Sequence, residues 1–241
     1  MMLHSGYRLQ YPETALRFQR VPRKRASSMR CIQTEADLHD GIRALRRRCK
    51  VMRNVHDVVG LPPMRLREPG FEGLARIIVG QQVSVASANA IWSRFEATVQ
   101  PMTAEQLRLM SDEALQGAGL SRPKIRTFRA IANAVPGELD FARLTAFTDE
   151  DVHAALTSIS GIGPWTADVY LLFCLGRADA FAAGDLALQV AAQHAFQLDR
   201  RPAPMELAEM AETWRPWRGV AARLLWTYYR TVKVANSGLP V

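Results

Sequence analysis

One stretch constrains the fold more than any other: LTSISGIGPWTADVYLLFCLGRADAFAAGDLALQ, residues 156–189. Two glycines and a proline interrupt an otherwise apolar helical pattern. Thr148 is a good N-cap for a short helix over 149–157, and SGIG then turns the chain. Pro164 suits the first position of the next helix, where its missing N–H costs nothing. That helix runs to about Leu175, with Gly176 as its stop. The pattern predicts a helix, a tight Gly-Ile-Gly hairpin and a second helix. Backbone N–H groups at such a turn face outward at a helix N-terminus, which suits an anion such as a DNA phosphate. An ordinary αα-hairpin with a glycine turn fits the spacing equally well.

Helix signals recur through the rest of the chain. Thr34-x-x-Asp37, Thr103-x-x-Gln106 and Thr148-x-x-Asp151 read as capping boxes or close variants. Ser121 precedes a helical repeat that Gly137 stops. In APMELAEMAETW, the acids Glu206, Glu209 and Glu212 read as a solvated face, and Pro216 breaks the chain before WRGVAARLLWTYYRTVKV. FEGLARIIVGQQVSVASANAIWSRF holds too many poor helix formers for one helix. It predicts a helix to about Val79, an exposed turn at GQQV, and a second helix capped by Ser84. No strand pairs or repeats stand out. The class is all-α, with nine or ten helices. The Pro/Gly-rich LPPMRLREPGFEG (61–73) separates a small N-terminal piece from a central bundle.

The 241 residues, 48% of them hydrophobic, are enough for a real core. No run approaches the ~20 apolar residues of a membrane span. No signal peptide is evident at the N-terminus, and the three cysteines show no paired spacing. These point to a reduced, cytoplasmic setting and no membrane. The net charge of +8 favours an anionic partner. Seven Arg or Lys and one Glu fall in residues 1–30, which read as a basic, disordered tail or a mis-started segment, so the remainder carries only about +2. A nucleic-acid reading therefore rests on local motifs. His39, His56, His153 and His194 show no metal-ligand spacing, so no catalytic metal is expected.

The longer string LTSISGIGPWTADVYLL resembles the helix-hairpin-helix motif of a DNA glycosylase superfamily. AFAAGDLALQ resembles the superfamily's Gly/Pro-rich segment with a catalytic Asp, and IIVGQQVSVASA and WRPWRGVAARLLW resemble two segments of its alkylated-base branch, all in the expected order. The chain is similar to the DNA-3-methyladenine glycosylase II family in a compact form, without a β-containing N-terminal domain before the helical core. The resemblance implies a two-lobed fold with the active site in the cleft between lobes. One lobe would span 71–176, and the other would combine 31–70 with 177–241. It implies that Asp185 is the catalytic carboxylate, although the residue also reads as a plain N-cap. The hairpin residues Gly161, Ile162, Gly163 and Thr166 would meet DNA, together with Gln82 as wedge and Lys124 at a phosphate. Trp165, Trp226 and Tyr170 would line the base pocket; Trp92, Trp214 and Trp217 read as structural.

Relatives that also cut the backbone carry a lysine just after the hairpin; here that place is held by Trp165, which cannot form a Schiff base. A monofunctional glycosylase is expected, acting on alkylated purines in double-stranded DNA for base excision repair. It is expected to be a monomer that reaches the nucleoid through DNA. No cofactor or iron–sulfur cluster is expected, since no cysteine follows Cys174. The resemblance permits a monovalent cation at hairpin carbonyls near Thr157 to Gly161. Two alternatives stay open: a glycosylase for deaminated, oxidised or mismatched bases, and a non-enzymatic hairpin module that only grips DNA.

Overall fold

The computed structural model describes residues 29–237 apart from 136 and 138, with side chains to residue 232. The predicted tail therefore lies outside the described residues except for Met29 and Arg30. Thirteen α-helices and one 3-10 turn make up the described chain: α1 Glu35–Arg48, α2 Lys50–Val59, α3 Phe71–Val79, α4 Val85–Thr98, α5 Ala104–Leu109, α6 Asp112–Gly117, α7 Arg122–Ala134, α8 Phe141–Leu144, α9 Asp149–Thr157, α10 Pro164–Phe173, α11 Leu186–Phe196, α12 Pro204–Ala211, the 3-10 turn Glu212–Trp214, and α13 Arg218–Ser237. The count exceeds the predicted nine or ten because α6 and α8 are too short to carry a periodic apolar stripe, and α2 follows α1 after the single residue Cys49.

Local chemistry sets the boundaries. Thr34 completes a capping box with Asp37, while Thr103, Ser111 and Thr148 each accept the backbone N–H three residues on. Ser84 does the same for Ser87, so α3 and α4 are separate helices with the GQQV turn between them. Ser121 precedes α7 without a side-chain cap bond, and Pro123 supplies the start signal.

The helices form two packed groups. In one, α13 lies against α11, α2 and α1; in the other, α3 meets α4, α7 and α10, and α9 pairs with α10. Trp92, Trp214 and Trp217 are buried as core residues. Glu206 and Glu212 are not merely solvated. Glu206 pairs with Arg200 and caps Ala203 N–H, and Glu212 pairs with Arg215 and Arg218.

Two buried arginines join the groups. Arg223, 2% exposed, donates to Leu172 O at 2.8 Å and Gly219 O at 2.9 Å. Arg177, 3% exposed, donates to Thr145 O and Phe147 O, both at 3.0 Å, and faces Asp149. A guanidinium is suited to this because its fixed fork satisfies several carbonyls at once.

Candidate active site

The hairpin forms as its sequence implies. Ile162 N–H donates to Ile159 O at 3.0 Å, and Gly163 stands at the N-cap of α10 ahead of Pro164. Gly161 has φ +89°, and a Cβ there would lie 2.0 Å from Thr127 Oγ1, so glycine lets α7 close against the turn. Gly163 has no such neighbour within 4 Å, so the space beside it is open. The N–H groups of Gly161 and Gly163 have no hydrogen-bond partner among the described residues. These are the free donors that an anion at a helix N-terminus needs. Ile162 is 5% exposed and packs inward. The turn therefore offers backbone to a ligand, while the Ile162 side chain packs the two helices together.

The GQQV turn is fixed to the hairpin from two sides. Gln81 Nε2 donates to Thr166 Oγ1 at 2.7 Å, and Thr166 is 2% exposed. Lys124 Nζ donates to Val79 O at 2.7 Å and Gln81 O at 2.9 Å. Both residues depart from the expectation of direct DNA contact. Thr166 is buried and latches the turn, while Lys124 satisfies carbonyls left at the end of α3. Partial burial also holds the Lys124 pKa below the ordinary lysine value. Gln82 stands exposed at the tip in the left-handed region, φ +56°, as a wedge would require. A cavity of about 400 Å³ opens between Gly80, Gln81 and Gln82 on one side and Gly161, Gly163 and Trp165 on the other.

Asp185 caps α11, its Oδ1 accepting Leu188 N–H at 3.0 Å. The capping reading of this residue holds, and the cap bond uses only one of its two oxygens. Trp165 Nε1 donates to Asp185 Oδ2 at 2.7 Å, and Trp226 Nε1 donates to Oδ1 at 3.0 Å. Residues from α10, α11 and α13 thus converge on one carboxylate. Gln189, buried one turn on, donates to Ala183 O at 3.1 Å and steadies the approach to the cap. Among the described residues no Lys, Arg or His forms an ion pair with Asp185. Its negative charge is held by N–H dipoles alone.

Behind Trp226, the ring of Phe173 lies 5.5 Å away at 35°. Tyr170 does not join the pocket. It is fully buried, its hydroxyl accepting Gly70 N–H at 2.9 Å, which corrects its assignment as a pocket aromatic. Burial pushes its phenol pKa up, and it remains neutral. Sequence reasoning misses the two indole bonds to Asp185. Residues spaced by 20 and 41 positions carry no periodic signal that they meet.

Residues 75–216 match the model of the HhH-GPD superfamily base excision DNA repair proteins. The chain belongs to the HhH-GPD superfamily. This HhH-GPD protein is 33% identical over 186 residues to DNA-3-methyladenine glycosylase 1 of Schizosaccharomyces pombe, covering 74% of this chain and 78% of that one. The structure of the 3-methyladenine DNA glycosylase of the same organism in complex with abasic DNA superimposes with a TM-score of 0.73 at 28% identity, covering 82% of this chain and 98% of that one. A DNA-3-methyladenine glycosidase of Bacillus halodurans superimposes with a TM-score of 0.70 at 32% identity, covering 85% and 94%. The all-helical fold read from the sequence is that of these glycosylases.

Proposed function

We propose that this HhH-GPD protein is a monofunctional DNA glycosylase that hydrolyses the N-glycosidic bond of alkylated purines in duplex DNA, as a monomer. The observation that carries the reading is the setting of Asp185: a carboxylate fixed by two indole N–H groups and one backbone N–H, with no cation paired to it among the described residues. The names of its relatives supply the substrate class.

The chemistry follows from the charge. A purine alkylated at N3 or N7 is cationic. When its bond to C1′ breaks, the bonding electrons leave with the base, which departs neutral. Positive charge then develops at C1′ and the ring oxygen of the sugar. A fixed, uncompensated carboxylate stabilises that charge without having to reorganise. Water adds to C1′, and its proton passes to Asp185 or to solvent. The base reaches the carboxylate by leaving the duplex. Gln82 fills the gap, and the faces of Trp165 and Trp226 attract the cationic ring.

The phosphate backbone is held by the free N–H groups of Gly161 and Gly163. A monovalent cation at carbonyls of Thr157 to Gly161 suits the same turn, because a hard cation takes oxygen donors. Lys124, the lysine nearest the hairpin in sequence, is engaged by two carbonyls. Trp165 occupies the place of a Schiff-base nucleophile, so strand cleavage is not part of the reaction.

Base release from methylated duplex DNA tests the reading, with wild type compared to Asp185→Asn and each reaction divided before strand-break detection. Release of 3-methyladenine by wild type only, with breaks appearing only after alkali, is the expected result. Breaks without alkali would overturn the monofunctional mechanism. No release despite intact DNA binding would overturn the enzyme assignment for this base.

A further inference from the structure

Loop 61–70, α3 and α13 enclose a second cleft, of about 600 Å³, lined by Arg65, Arg67, Glu68, Glu72, Arg76 and Arg230. Arg76 is already satisfied. It faces Glu72 at 3.5 Å and Glu96 at 3.8 Å, and its guanidinium lies over the Trp92 ring at 4.3 Å. The guanidinium groups of Arg65, Arg67 and Arg230 form no ion pair or hydrogen bond among the described residues. With Glu72 taken by Arg76, Glu68 is the one lining carboxylate left to offset these three charges. Burial, with Arg76 nearby, holds the Arg67 pKa below the ordinary arginine value, so the group gains from an anion.

The loop is held in place by its backbone. Arg67 N–H donates to Phe173 O at 2.8 Å, and Arg223 Nε donates to Met64 O at 3.4 Å. Phe173 is the ring packed against Trp226, and Arg230 follows Trp226 by one turn of α13. Val85 also lines the cleft, three residues past the wedge candidate Gln82. The cleft therefore shares α13 and the Phe173 segment with the active site, and the start of α4 with the end of the GQQV turn. An apolar or cationic ligand does not fit three unpaired guanidinium groups, and a cationic alkylated base would be repelled. Phosphate oxygens fit them, because arginine binds phosphate with two parallel hydrogen bonds.

We propose that Arg65, Arg67 and Arg230 form a second DNA-backbone site that takes phosphates beyond those held by the glycine turn. The inference rests on the DNA-glycosylase reading above. It gives the sparse positive charge of the folded body a defined place.

Anisotropy of the full chain with a labelled duplex carrying a tetrahydrofuran abasic analogue, repeated over a salt series, tests it. Arg65→Gln, Arg67→Gln, Arg230→Gln and the triple variant are compared with Arg47→Gln, an exposed arginine of α1 outside the cleft. Removing one arginine–phosphate pair lowers the slope of log affinity against log salt by about 1. The expected result is a slope lower by about 2 to 3 for the triple variant, affinity weakened about tenfold or more, and wild-type behaviour for Arg47→Gln. A triple variant with wild-type slope and affinity would overturn the site. So would an equal weakening in Arg47→Gln, which would mean a general charge effect. If wild type fails to bind the duplex, the glycosylase reading falls, and this site falls with it.

Discussion

Asp185 Oδ2 has one donor, Trp165, whereas Oδ1 has two, Leu188 N–H and the Trp226 indole. That asymmetry ranks the two tryptophans. Phenylalanine at either position keeps an aromatic face, smaller by the pyrrole ring, and removes the N–H donor. A hydrogen bond to a charged group contributes about 1.5–3 kcal/mol, and 1.36 kcal/mol corresponds to about tenfold in rate. Trp165→Phe is expected to slow single-turnover base release by about tenfold or more while binding to abasic duplex is kept. Trp226→Phe is expected to cost less, because Oδ1 retains its backbone donor. Equal excision rates for Trp165→Phe and wild type would remove the indole from any positioning role. Asp185→Asn is not a silent charge deletion here. Asn caps a helix as well as Asp does, but its NH₂ would face one of the three N–H donors. The variant is expected to lose at least about a hundredfold in base release and about 1–3 kcal/mol in stability through an unsatisfied donor. Thermal melting beside the excision assay separates the two effects.

The hairpin separates shape from contact at the level of the element. Gly161 and Gly163 look alike in the sequence, yet a Cβ at Gly161 collides with Thr127 and one at Gly163 meets nothing within 4 Å. Gly161→Ala is expected to lower stability by about 1–3 kcal/mol, from the positive φ together with the clash. Gly163→Ala is expected to leave the melting temperature near wild type and weaken DNA affinity several-fold, since its methyl group covers the proposed phosphate position. Melting curves and duplex binding on both variants would show it, and an unchanged affinity for Gly163→Ala would remove the turn from the DNA interface. These elements are largely legible in the sequence. Gly, Pro, Ser and Thr act on their own few residues, so the hairpin, the α3–α4 break and the caps can be read directly. Lys124 reads as DNA-facing because a lysine at a helix start looks alike whether its partner is phosphate or a carbonyl some forty residues away, and Thr166 because its partner, the Gln81 amide, lies 85 residues away. Tyr170 misleads for the same reason: its hydroxyl partner, Gly70 N–H, is 100 residues distant. The short helices carry too few residues for a period to show.

On the scale of the whole molecule, polar groups are concentrated along the seam between the two helical groups. Beside Arg177 and Arg223, Asp179 pairs with Arg215 and, at 3.1 Å, with Arg218, and Glu212 ties both arginines again. A cavity of about 550 Å³ in this seam is lined by Asp149, His153, Asp168, Asp179 and Arg218. Asp168, on α10 one turn after Trp165, lines it without a side-chain hydrogen bond among the described residues, its ionic neighbour there being His153 Nε2 at 3.8 Å. Burial raises its pKa to about 7, against a smaller opposite pull from Arg218. Below pH ~4 the carboxyl is neutral in both the folded and the unfolded chain. Between pH ~4 and ~7 the unfolded chain loses this proton while the folded chain keeps it, so stability falls as pH rises. Above pH ~7 the penalty is constant. Asp168→Asn removes the ionisation and keeps the shape. It is expected to be more stable than wild type at pH 8 by about 1–2 kcal/mol, or about 3–6 °C in melting temperature, with the difference fading towards pH 4. Melting curves of both proteins from pH 4 to 8 provide the check. An advantage independent of pH would mean that packing changed, and a less stable variant at pH 8 would mean that the ionised carboxylate holds the seam together.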